Sequence, residues 1–100
     1  MTFIDQYREL KKQYPDTIVL MRLGDFYEAF EADAEAMASA CDLTLRTRKL
    51  GPNKSVPMAG VPYFSVNDYV TIMNNSGYTV AVCDQVSEIP VNGVLLRKGA

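Results

Sequence analysis

The chain contains no histidine and no tryptophan. Without histidine it lacks the commonest general base and the commonest metal ligand. Its two cysteines, Cys41 and Cys83, are far apart and form no Cys-x-x-Cys pair, so a zinc site is not expected. They read as reduced core thiols of a cytoplasmic protein. Neither of the glycine-rich phosphate loops, GxxxxGK[ST] or GxGxxG, is present. No apolar run approaches the ~20 residues that span a bilayer. Nor does the opening read as a signal peptide, because Phe3 leads straight into an amphipathic helical pattern. These absences predict a non-enzymatic chain with no cofactor, membrane or small-molecule substrate of its own. An enzyme built from these residues would have to use carboxylates, lysine or tyrosine.

Charge is scarce but unevenly spread. Ten basic and twelve acidic residues give a net charge of −2, with a pI near 5.0. That balance argues against a strong autonomous nucleic-acid binder. Residues 25–42 hold six acids and no base, and residues 43–67 hold Arg46, Arg48, Lys49 and Lys54 and no acid. The two halves can be plain solvated faces, or the basic half can track a polyanion.

At 100 residues, 48% of them hydrophobic, residues 1–100 are expected to form a single domain. Phe3, Tyr7, Leu10 and Tyr14 repeat at helical spacing, with Thr2 as a cap, Asp5 in the first turn and Pro15 as the stop. Residues 17–23 read as a central strand. Gly24 breaks it, and Asp25 with Glu28 looks like a capping box opening an alanine-rich helix to about Cys41. Residues 43–48 alternate as a half-buried strand with Arg46 and Arg48 on its outer face. Gly51-Pro52-Asn53 marks a turn. Residues 56–62, bounded by Pro57 and Pro62, read as an ordered irregular segment. Ser65 with Asp68 looks like a second capping box, and Gly77 closes that helix. Residues 78–86 form another strand, Asn92-Gly93 a hairpin turn, and residues 94–97 a short last strand. The order α-β-α-β-loop-α-β(-β) predicts an α/β (α+β) domain, a small mixed sheet flanked by about three helices.

Phe26 and Glu28 stand at the strand-to-helix boundary and can be read two ways. In the first, Glu28 is the capping-box acid and Phe26 belongs to the core. In the second, both project from the domain. An exposed phenylalanine can wedge between base steps and kink a duplex. A carboxylate beside it can accept a hydrogen bond from a base that has lost its pairing partner. Unstacking costs least at a mispair, so a wedge discriminates by deformability.

Three motifs then carry a resemblance. Gly24-Asp25-Phe26-Tyr27-Glu28 followed by Phe30, then Pro57-Met58-Ala59-Gly60-Val61-Pro62-Tyr63, then Val80-Ala81-Val82-Cys83-Asp84-Gln85-Val86, are similar to the N-terminal mismatch-recognition domain of the MutS DNA mismatch-repair family. The likeness covers roughly residues 3–88, including a first helix from Gln6-Tyr7 to Tyr14-Pro15. It implies that Phe26 stacks at a mispaired base and Glu28 hydrogen-bonds it, and that Met58 lies near the DNA. Arg46, Arg48 and Lys49, from the basic stretch, are the further expected DNA-binding residues. It implies double-stranded DNA as partner, mispaired preferred, together with other domains or a protein partner. ATP and magnesium would belong to other domains of a full-length member. Phe64 stands where the family usually has histidine, and after Ile89 the likeness fades. Two alternatives stay open: a free-standing copy in a mobile-element protein, acting as a general DNA-binding or protein-interaction module, or an enzyme with a perturbed carboxylate or lysine.

Overall fold

The computed structural model describes residues 2–84 and 94–97. Helix α1 (Phe3–Gln13) opens with the expected cap. Thr2 Oγ1 accepts from the Asp5 N–H at 3.3 Å, and Asp5 Oδ2 accepts from the Thr2 N–H at 3.2 Å. It ends before Pro15, as predicted. Strand β1 (Ile18–Leu23) follows, its first four residues fully buried.

The largest correction comes next. The segment after Gly24 is a strand, β2 (Phe26–Phe30), antiparallel to β1 with Leu23 opposite Phe26. Gly24-Asp25 is therefore a two-residue hairpin loop. Gly24 takes φ +60°, which suits the first central position of a type II′ turn. Helix α2 (Glu31–Cys41) starts five residues later than the capping box suggested, its N-cap being Phe30 rather than Asp25, with no side-chain cap. Glu31 turns the chain from strand to helix with φ +59°, a conformation that disfavours a side chain. Local helix propensity lost here because β2 is paired on both sides, with β1 from Phe26 to Glu28 and with β4 along its whole length.

Two further expectations shift. The basic strand is β3 (Arg46–Gly51), not residues 43–48, and it turns at Pro52-Asn53 into β4 (Lys54–Pro62). The proline-bounded segment is thus a nine-residue strand rather than an irregular one. It tolerates its prolines because Pro57 lies one place beyond the last residue paired to β2, and Pro62 closes the strand. A 3₁₀ turn (Tyr63–Ser65) leads into helix α3 (Val66–Asn75). Ser65 has φ −104° and ψ 0°, so its hydroxyl makes no cap and the second capping box is absent. Gly77, at φ +94°, does follow the C-cap as expected. Strands β5 (Val80–Cys83) and β6 (Val94–Arg97) complete the sheet. The expected Asn92-Gly93 turn, and the Gln85-Val86 end of the predicted strand, lie outside the described residues.

Among the described residues the sheet is six-stranded in the order β3-β4-β2-β1-β5-β6, with β1 and β5 parallel and the other neighbours antiparallel. Helices flank both faces. On one, Ala34, Met37, Val66, Val70 and Met73 from α2 and α3 pack on Leu20, Ala29, Val61 and Val82. On the other, Ile4, Tyr7 and Leu10 from α1 pack on Val19, Met21, Phe30 and Ala81. An α+β mixed sheet flanked, among the described residues, by three helices is the expected fold class.

A buried polar node fastens α1 to this frame. Asp33 Oδ2 accepts the Val19 N–H at 2.9 Å and lies 3.1 Å from Tyr7 Oη, and Lys11 Nζ bonds Asp33 Oδ1 at 2.8 Å. Tyr7 Oη also reaches the Val19 carbonyl at 2.7 Å. The node satisfies a carboxylate that would otherwise be costly to bury.

Candidate functional site

Alternation along a strand sets the site. Phe26, Glu28 and Phe30 share the α1 face of β2. Phe30 lies fully buried beneath α1, its ring 5.1 Å from Tyr7 and 5.3 Å from Phe3. The sheet face beyond it opens as a cleft of about 520 Å³. Its walls are Phe26, Glu28, Met58 and Gly60, with Arg46 and residues 42–44 along the edge.

Phe26 is 44% exposed, so it does not belong to the core. Its neighbour Leu23 closes the hairpin, and Pro62 stands opposite on β4. Because the turn before it is only two residues long, the ring is presented from a paired strand rather than from a loose loop. Glu28 differs sharply, being only 7% exposed. Its capping role is excluded, because it stands mid-strand opposite Met21 and Gly60. The side chain runs over Gly60, and Arg48 Nη1 donates to its Oε1 at 3.0 Å. Burial raises the Glu28 carboxyl above the ordinary glutamate value, and the Arg48 charge pulls it back. Among the described residues Arg48 is the one partner of that carboxylate.

The expected residues therefore divide. Phe26, Glu28, Met58 and Arg46 line one cleft, and Arg48 is tied to Glu28. Lys49 pairs with Ser55, one step along from Arg48, so it points from the opposite face of β3. Sequence reasoning passed over Gly60, Asp42, Leu43 and Thr44 as site residues. Gly60 had a signal, a glycine inside an apolar strand, which marks a close approach. The loop residues had none, because only the packing of β3 against β4 carries them to the cleft edge.

A second cluster stands beside Phe26. Arg22 Nε donates to the Gly24 carbonyl at 2.7 Å, holding the hairpin loop. Its guanidinium lies 4.3 Å from the Tyr63 ring centroid and 5.6 Å from that of Tyr27. Tyr27 Oη donates to Asp84 Oδ1 at 2.6 Å, and the Tyr63 N–H donates to the Asp25 carbonyl at 2.8 Å. These contacts brace the turn that carries Phe26. Phe64 is 76% exposed. Among the described residues no group of acids, cysteines and histidines stands together as metal ligands, and no helix is long and apolar enough to cross a membrane.

Comparison with known proteins gives concordant matches. The family model described as MutS domain I matches residues 1–98. The DNA mismatch repair protein MutS of Dehalococcoides mccartyi is 46% identical over 83 residues, which are 83% of this chain and 10% of that protein. The protein of the same name from Lactobacillus acidophilus is 46% identical over 96 residues, 96% of this chain and 11% of its own. That of Persephonella marina is 43% identical over 83 residues, again 10% of its length. The chain thus spans about a tenth of the curated relatives it matches.

Proposed function

Because the chain belongs to the MutS domain I family, we propose that it is a DNA mismatch-recognition module in which Phe26 is the wedge and Glu28 the base-reading acceptor. The observation that carries this reading is that an exposed Phe26 and a buried Glu28 line the same cleft. A ring inserted at a base step unstacks it and bends the duplex. The cost is lowest where pairing is already lost, so the wedge selects mispairs through deformability. Glu28 then accepts a hydrogen bond from an N–H donor on the base edge. Its burial makes an unmet bond expensive, which sharpens the choice. Arg48 offsets the charge that would repel the phosphates. Met58 supplies apolar contact, and exposed Arg46 at the cleft edge meets the backbone. No cofactor enters this step. The matches lend no support to a free-standing copy in a mobile-element protein.

The test is a titration of labelled duplexes at low salt, mispaired and matched, against wild type and Phe26→Ala. Preference for the mispaired duplex that disappears in Phe26→Ala supports the reading. Equal affinity of wild type for both duplexes would overturn it.

A further inference from the structure

The Glu28 carboxylate can read a base only if it is aimed, and Gly60 and Arg48 account for its aim. Gly60 stands directly opposite Glu28 in the β2–β4 ladder. A Cβ added there would lie 2.9 Å from Glu28 Cγ and 3.2 Å from the Tyr27 carbonyl oxygen. The Glu28 side chain therefore occupies space that only glycine leaves. It crosses β4 toward β3, where Arg48 Nη1 holds Oε1 at 3.0 Å. Arg48 is seated in turn, its guanidinium 5.1 Å from the Phe3 ring centroid on α1. The carboxylate is thus fixed at both ends, with one oxygen committed and Oε2 without a partner among the described residues.

We propose that Gly60 and Arg48 are positioning residues for mispair specificity, which hold the Glu28 carboxylate so that its second oxygen meets an N–H donor on an unpaired base. Neither needs to touch the DNA. The proposal deepens the mismatch-recognition reading above and rests on it. It separates aim from attraction: removing either residue leaves the Phe26 wedge and Arg46 in place while the hydrogen bond to the base loses its direction.

The experiment compares mispaired and matched duplex binding by the 100-residue chain for wild type, Arg48→Ala, Arg48→Lys, Gly60→Ala, Glu28→Ala and the Glu28→Ala/Gly60→Ala double variant, with thermal melting of each. Arg48→Ala and Gly60→Ala should lower the mispaired-to-matched affinity ratio by roughly tenfold, the scale of one charge-assisted hydrogen bond. Arg48→Lys should restore part of it. In the Glu28→Ala background Gly60→Ala should change the ratio no further, since Cγ is gone. If Arg48→Ala instead weakens both duplexes equally and lowers the salt slope by about 1, Arg48 is a phosphate contact and the proposal fails for it. If Gly60→Ala melts out, the Arg48 pair of variants decides the proposal alone. Unchanged ratios in folded variants overturn the positioning role while the wedge reading stands. A wild type without any mispair preference sinks the wedge reading, and this proposal with it.

Discussion

Phe26 and Glu28 stand two residues apart on the same face of β2, yet the first is 44% exposed and the second 7%. The difference arises because Gly60 opens a trough for Glu28, whereas Phe26 lies at the strand end, with the hairpin loop before it. A protruding ring beside a sunken acceptor is the geometry on which the predictions below depend.

Truncating the ring should spare the fold. Phe26→Ala is expected to change unfolding free energy by less than about 1 kcal/mol, as partly exposed positions do. Thermal melting checks this. A loss of several kcal/mol would mean that Phe26 is core after all.

Duplex binding by this chain should be weak and strongly salt-dependent. Few phosphate contacts place it at roughly 10⁻⁴ to 10⁻⁶ M. Arg46→Ala should weaken mispaired and matched duplexes alike and reduce the salt slope by about 1. Titrations at several salt concentrations measure both quantities.

The Asp33 node should be a hot spot of stability. Tyr7→Phe removes a hydroxyl bonded between the Val19 carbonyl and Asp33, and should cost about 1–3 kcal/mol. Asp33→Ala also strands the Val19 N–H and Lys11, and should cost more. Urea unfolding ranks the two variants.

Glu28 should carry a pH signature. Its carboxyl titrates above the ordinary glutamate value because it is buried, with Arg48 opposing. A raised carboxyl favours the folded state most when protonated. Its contribution is therefore full below the unfolded value and lost as pH rises through the folded one. Glu28→Gln lacks this dependence, so its stability relative to wild type should rise from acid pH toward pH 7. Urea midpoints across that range would show the trend, and a flat difference would contradict it.

The two thiols should react unequally. Cys83 is buried, and desolvation followed by the Asp84 charge pushes its thiol up to about 12. Cys41 is half-buried and raised by burial alone. At pH 8 a thiol reagent should label Cys41 first and leave Cys83 untouched until unfolding. Equal labelling rates in the native chain would count against the packing of β5.

Much of the fold was legible in local chemistry. The α1 cap, the Pro15 stop, the central position of β1 and the Gly77 terminus each depend on residues within a few places of one another. The acidic stretch 25–42 and the basic stretch 43–67 are likewise plain in the sequence. Motif likeness singled out Phe26, Glu28 and Met58, and the structure places all three along one cleft.

What the sequence alone could not decide was the state of residues 25–30 and 54–62. Asp25 with Glu28 satisfies a helix start, and Pro57 argues against a strand, when each is read locally. Their strand state comes from partners thirty residues away, because a ladder between β2 and β4 satisfies backbone groups that neither segment can satisfy alone. Tertiary pairing also set Gly60 under Glu28, carried Arg48 within reach of it, and turned Lys49 to the other face. Residue types supplied a phenylalanine ring and a carboxylate; only the register of the sheet set their burial and their direction.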